Sequence, residues 1–314
     1  MFSIVTGLVI KSTGSRYLVK AGNRIIDCVL KGKLRLEGRK TTNPVAVGDL
    51  VDFEIEENGE ASIQKIHPRK NYIIRKSINL SKQAQILASN LDQAVLIATL
   101  VFPRTSLGFI DRFLVTAEAY RIPAKIIFNK SDLLNEDLVT VQNEIIDIYN
   151  QAGYECFTVS SFAEKEVQGL RKIFKDKTTL IAGHSGVGKS TFINALEPTL
   201  TIKTGEISAA HNKGMHTTTF AELHPLSFGG NIIDSPGIKE LGLVEMKKEE
   251  VGHYFPEIRE RMNNCKFNNC LHVNEPKCAV LEAVEKGEIS EERYSSYLGI
   301  LNGEEMDWKE WEIK

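Results

Sequence analysis

The chain has 314 residues, more than one compact core usually accommodates, so two or three domains are expected. Its 42% hydrophobic and 25% charged content is that of a globular protein, and no apolar run approaches the ~20 residues of a membrane-spanning helix. The net charge of −2 hides an asymmetry: residues 1–75 carry thirteen Lys/Arg against eight Asp/Glu, and residues 281–314 carry four against ten. That pattern reads either as two solvated surfaces or as a basic front domain that meets a polyanion such as RNA. The start, Met1-Phe2-Ser3-Ile4-Val5, alternates like a strand and lacks the basic and apolar regions of a secretory signal, so a cytoplasmic location is expected.

Short strand patterns come first, at residues 3–10, 17–21, 24–30, 49–56 and 62–66, divided by turn signals such as Ala21-Gly22-Asn23 and Glu57-Asn58-Gly59. Five short strands with little helix suggest a small β-barrel, an OB-fold or an SH3-like barrel, over residues 1–72. Arg24, Lys31, Lys33, Arg35, Arg39 and Lys40 are its candidate RNA contacts, or else a solvated basic face.

From about residue 90 the texture changes. Apolar runs at 93–100, 124–128, 156–159, 179–182 and 231–233 alternate with helical spacing, first at Leu107, Ile110, Phe113, Leu114 and Ala117 and then through 136–150. This is the signature of a doubly wound α/β domain, placed at residues 73–245. Residues 246–314 hold two helix-like stretches, 279–286 and 291–302, and a cluster of Cys265, Cys270, His272 and Cys278. Four such ligands at short spacing can close a tetrahedron on Zn²⁺ with no open position, which marks a structural ion in a mainly helical C-terminal domain. Cys28 and Cys156 sit in apolar strand patterns and read as core residues.

Three segments carry nucleotide chemistry. Gly183-His184-Ser185-Gly186-Val187-Gly188-Lys189-Ser190-Thr191 fits G-x-x-x-x-G-K-[ST] directly after an apolar strand. Its glycines let successive backbone N–H groups face phosphate oxygens; Lys189 would neutralise the β- and γ-phosphates and Ser190 would ligate Mg²⁺. Asp234-Ser235-Pro236-Gly237 follows another buried strand, where Asp234 can hold Mg²⁺ through water and the Gly237 N–H can sense the γ-phosphate. One of Thr217, Thr218 and Thr219, lying between the two, could complete the Mg²⁺ shell. Asn129-Lys130-Ser131-Asp132 ends the strand at 124–128; the Asp132 carboxylate can accept from guanine N1–H and its 2-amino group, a donor pair adenine lacks, while Asn129 and Lys130 brace the base. Ser160-Ser161 is a further candidate base contact. The expected cofactors are therefore GTP or GDP and Mg²⁺, with one Zn²⁺.

The base-reading segment precedes the phosphate loop, whereas ordinary GTPases have it after. The order implies a circular permutation, in which the original termini are joined and new ones opened elsewhere.

Together these motifs resemble the ribosome-small-subunit-dependent GTPase A family of bacterial, circularly permuted GTPases. Pro44-Val45-Ala46-Val47-Gly48-Asp49, Pro68-Arg69-Lys70-Asn71 and Gly214-Met215-His216-Thr217-Thr218-Thr219 add to the likeness. The resemblance implies an N-terminal OB-fold, a permuted GTPase domain and a C-terminal zinc domain; a monomer is expected. It also implies that the 30S subunit and its 16S rRNA are partners, that the subunit stimulates hydrolysis, and that the work is late 30S maturation. The chain departs from the family's usual Arg at Met215 and usual Thr at Ser235.

Where many GTPases carry a water-orienting Gln, this chain has Ile238, so a slow intrinsic rate is expected, with His216 the candidate replacement. Two alternatives stand beside this reading: an RNA-binding adaptor that is governed by guanine nucleotide and hydrolyses little, and an ATP-dependent enzyme, against which Asp132 argues.

Overall fold

The computed structural model describes residues 4–31, 44–57, 59–76, 84–202, 221–234 and 246–303. The chain forms two compact units, one combining Met1–Val95 with Ser161–Gly242 and the other Leu96–Ser160 with Leu243–Lys314.

The first unit opens with β1 (Ile4–Ser12), β2 (Arg16–Ala21), β3 (Arg24–Leu30), β4 (Leu50–Ile55) and β5 (Ala61–Ile66). Strand β1 pairs antiparallel with both β2 and β4, and a register shift between Val9 and Lys11 lets it curve from one partner to the other. A parallel pairing of β3 with β5, Cys28 opposite Ala61, closes a five-stranded barrel as the OB-fold expectation requires. Inward positions supply its core, with Val9, Tyr17, Val19, Cys28, Val51, Phe53 and Ile63 all buried. At Gly7 the wall passes too close for a side chain: a Cβ there would lie 2.5 Å from Val19 Cγ1.

A hairpin follows, β6 (Tyr72–Lys76) with β7 (Ala84–Ser89), which the sequence patterns did not mark. Between barrel and hairpin lies a buried ionic knot. Asp49, fully buried, accepts from Arg69 Nε and Nη2 at 2.6 Å each, from Ser89 Oγ at 2.6 Å and from the Ala46 N–H at 2.8 Å. Gly48, at φ +91°, passes so close to the Ser89 carbonyl that a Cβ would lie 2.2 Å from it.

The boundary between the units falls within β8 (Gln93–Ala98), whose six residues are all buried. Residues of the second unit then form α1 (Leu107–Ala119), β9 (Ala124–Phe128), α2 (Glu136–Gln151) and β10 (Glu155–Thr158), with β9 and β10 parallel. Ser106 and Asn135 cap the two helices by accepting from the N–H groups of Phe109 and Leu138.

The chain returns to the first unit with α3 (Glu164–Gly169), α4 (Arg171–Phe174), β11 (Thr178–Ala182), α5 (Lys189–Leu196), β12 (Glu222–Pro225) and β13 (Asn231–Asp234). Strands β11 and β13 are parallel, β12 is antiparallel to β13, and β12 meets barrel strand β1 at Lys11 and Glu222, whose side chains pair at 2.8 Å.

Helices α6 (Lys248–Val251), α7 (Pro256–Met262), α8 (Ala279–Glu285) and α9 (Glu291–Asn302) complete the second unit. Their core joins Val251, Phe255, Ile258, Val280, Ala283, Tyr297 and Leu301 to Val115 of α1. Arg293 of α9 is buried within that unit, donating to Asp111 of α1 at 2.7 Å and to both oxygens of Glu257 at 2.6 and 3.2 Å, with Phe255 facing its guanidinium.

Candidate functional site

In the first unit, β11 ends at Ala182 and delivers the chain into the glycine-rich loop. Gly183, Gly186 and Gly188 adopt φ values of +145°, +84° and +92°, which L side chains rarely tolerate, and so the loop curls as phosphate cradles do. Val187 is fully buried and pins the loop to the core, and α5 starts at Lys189, leaving Ser190 and Thr191 in its first turn. Lys189 Nζ donates to the carbonyls of Gly183 and His184, each at 2.8 Å, so its ammonium lies folded across the loop.

Asp234 ends β13 opposite Ile181 of β11, placing its carboxylate at the loop end of the strands. Burial pushes the Asp234 carboxyl up to about 6, against the pull of Lys189. Burial likewise lowers the Lys189 ammonium, with Asp234 opposing. A buried carboxylate at that strand end is an oxygen ligand of the kind a small hard cation takes.

The Asn129–Asp132 segment forms in the second unit where β9 ends. Asn129, buried, donates its backbone N–H to the Ala98 carbonyl at 2.8 Å, and Lys130 turns through a left-handed conformation at φ +65°. Ser131–Leu133 then make one tight turn whose first N–H reaches the Val159 carbonyl at 3.2 Å. Asp132 is exposed, and the buried Ser160 donates its hydroxyl to Asp132 Oδ1 at 2.5 Å. The Ser160 hydroxyl thus orients the carboxylate that would read the purine. Ser161 is buried beside it in sequence.

Cys265, Cys270, His272 and Cys278 converge, their donor atoms all within 4.8 Å of one another. Cys265 Sγ lies 3.8 Å from Cys278 Sγ and 3.5 Å from His272 Nδ1, and His272 Nδ1 lies 3.4 Å from Cys278 Sγ. A regular tetrahedron with zinc–sulfur and zinc–nitrogen bonds of ordinary length has edges of about 3.8 and 3.6 Å, so the donor set fits the ion. Burial and neighbouring thiols push the Cys270 thiol up to about 12, and burial lowers His272 toward its neutral, ligating form. Metal-free, these groups are neutral thiols and a neutral imidazole, and an ion bound among them would displace the thiol protons.

His216, Thr217, Thr218, Thr219 and Gly237 lie outside the described residues, as do Lys33, Arg35, Arg39 and Lys40. Arg24 and Lys31 are exposed on the barrel.

Some contributors carried no signal in the motifs. Glu275, inside the cysteine cluster's loop, accepts from the N–H groups of Leu271, Val273 and Asn274 at 2.6, 2.8 and 3.1 Å. Burial opposes its charge, but those N–H groups hold it down to about 2. An acid placed between two ligand residues is the only hint the sequence offers. Phe102, whose carbonyl accepts from Lys130 Nζ, was hidden for another reason: its neighbours Val101, Pro103 and Arg104 follow no motif.

A phosphate loop with a buried acid at the end of a neighbouring strand, and a separately placed Asn-Lys-x-Asp turn that comes earlier in the chain, define a circularly permuted P-loop GTPase. Comparison with known proteins narrows the class. The family model described as RsgA GTPase matches residues 66–244, and that of the RsgA N-terminal domain matches residues 6–63. A Bacteroides fragilis protein named small ribosomal subunit biogenesis GTPase RsgA is 55% identical over 300 residues, 95% of this chain and 97% of its own. A protein of the same name from Flavobacterium psychrophilum is 53% identical over 309 residues, 97% of this chain and 95% of its own. The crystal structure of YjeQ from Thermotoga maritima superposes with a TM-score of 0.78 at 33% identity, covering 96% of this chain and 98% of that one. YloQ, described as a circularly permuted GTPase, gives 0.73 at 32%, covering 96% and 95%. The chain belongs to the RsgA GTPase family and is a GTP-hydrolysing enzyme.

Proposed function

We propose that this GTPase acts in maturation of the small ribosomal subunit, binding the 30S particle through rRNA and hydrolysing GTP faster when bound to it. The names of its relatives support the biogenesis role. The observation that carries the chemistry is the folded glycine loop with Lys189 across it and Asp234 at the adjoining strand end.

In this reading Gly183, His184, Ser185, Gly186, Val187 and Gly188 offer backbone N–H groups to the phosphates, and Thr191 extends them into the first turn of α5. Lys189 leaves the two carbonyls it now caps and pairs with the β- and γ-phosphates. Mg²⁺, held by Ser190, Asp234 and one of Thr217, Thr218 and Thr219, would neutralise charge building on the transferred phosphoryl group. Gly237 reports the γ-phosphate, and His216 orients the attacking water in place of a Gln. Asn129, Lys130, Ser131 and Asp132 read guanine, with Ser160 and Ser161 closing that edge.

Cys265, Cys270, His272 and Cys278 hold one structural Zn²⁺. The working division is a barrel over 1–72, a GTPase domain over 73–245 and a zinc domain over 246–314, in a monomer that works in the cytoplasm. Among the described residues no helix is long and apolar enough to cross a membrane.

Phosphate release with purified 30S, 50S and 70S particles, side by side, tests the proposal. A rate raised by 30S alone is expected; equal rates with all three, or none above the basal rate, would overturn the partner assignment.

A further inference from the structure

Among the described residues, the two most exposed large hydrophobic side chains are Phe162, 81% exposed, and Phe102, 75% exposed. Each neighbours a candidate guanine-reading segment. Phe162 follows Ser160-Ser161 in the chain, and Phe102 offers its carbonyl to Lys130 Nζ. Single exposed apolar residues are ordinary and need no account. Phe102 is different because its backbone is held at φ +47°, a region that bulky side chains avoid. Such conformations persist where the surroundings over-determine them, and here they do. Thr99 Oγ1 donates to the Pro103 carbonyl, Thr105 Oγ accepts from the Thr99 N–H at 3.1 Å, and the Thr105 N–H donates to the Thr99 carbonyl at 2.8 Å. Lys130 fixes the tip. Several bonds therefore hold one phenyl ring in water on a residue whose carbonyl lies within reach of the Lys130 side chain, in the Asn129–Asp132 turn.

We propose that Phe102 is a positioning residue for the nucleotide, its ring stacking on the purine that Asp132 reads. A flat aromatic face recognises any purine ring, so Phe102 contributes affinity while Asp132 contributes the choice of guanine. The proposal rests on the guanine site assigned above, and its test keeps the two apart.

The test measures GDP, GTP and ADP affinity for the parent chain, Asp132→Ala, Phe102→Ala and Phe102→Trp, together with thermal midpoints without nucleotide. GDP binding by the parent and its loss in Asp132→Ala establish the guanine site by themselves. On that site, Phe102→Ala is expected to weaken GDP and GTP alike, by about tenfold, and Phe102→Trp to restore them. The midpoint should stay unchanged, since the ring packs against little, and kcat at saturating GTP should hold while KM rises. Unchanged affinity in Phe102→Ala would overturn the proposal, and if stimulation by 30S subunits fell at the same time, the ring would instead be a contact for the partner.

Discussion

Burial raises the Asp234 carboxyl to about 6, so near neutral pH the nucleotide-free protein holds an ionised acid in a place that favours the neutral form. A folded value above the unfolded one means that the native state binds the proton more tightly, and the penalty is present above pH 6 and fades as the pH falls through it. The shift corresponds to at most about 3 kcal/mol. Asp234→Asn should therefore raise the thermal midpoint of the nucleotide-free, chelator-treated protein, while GTP turnover falls to the background; a destabilised variant would contradict the account. Asp132 is the opposite case, exposed and oriented by Ser160. Asp132→Ala should leave stability within about 0.5 kcal/mol yet erase the preference for GTP over ATP, because two charge-assisted hydrogen bonds at about 1.5–3 kcal/mol each are lost. Competition of unlabelled GTP and ATP against a labelled nucleotide reads the preference, and a denaturant midpoint reads the stability.

Elements were legible in the sequence where one periodicity ruled them. Strand β8 is buried throughout, and β9 and β11 are buried over their last three and four residues, so each shows a short apolar run (94–98, 126–128 and 180–182), while the five barrel strands alternate between turn signals. The hairpin of β6 and β7 and the short β12, which ends at Pro225, have neither pattern; each is held as a strand by pairing with a neighbour. The buried knot at Asp49 was visible only as motif residues without a stated role, because its partners Arg69 and Ser89 lie 20 and 40 positions away. Removing the cation from such a knot leaves an uncompensated carboxylate. Arg69→Met should cost about 3–5 kcal/mol, seen as a fall in the denaturant midpoint with circular dichroism. The convergence of the cysteine cluster was the opposite, its four residues lying within fourteen positions and readable from spacing alone. What spacing could not reveal was the carboxylate of Glu275, which gathers three N–H groups of the ligand loop.

At the scale of the whole molecule, contiguous domains and compact units do not coincide. The sequence divides the chain at residue 245, yet the C-terminal helices share a core with α1 and lie in the same unit as the Asn129–Asp132 turn. No local pattern announces this, since Arg293 and Asp111 are 182 positions apart and each looks like a surface charge on a helix. Helix α9 is the hub of that unit. Arg293 holds Asp111 and Glu257, while Tyr294 and Tyr297 donate to the carbonyls of His272 and Leu271 in the ligand loop at 2.7 and 2.6 Å. Arg293→Met should strand two buried carboxylates and cost about 3–5 kcal/mol, whereas adding Asp111→Leu and Glu257→Met should recover most of it, since apolar replacement of a buried ionic group is often neutral. Hydrogen exchange can localise the loss. Amides of α1 and α9 should lose protection together, by a hundredfold or more, while those of barrel strands β1–β5 keep theirs. Equal loss in the barrel would mean that the two units do not open independently, and loss confined to α9 would mean that Arg293 does not bind the C-terminal helices to α1.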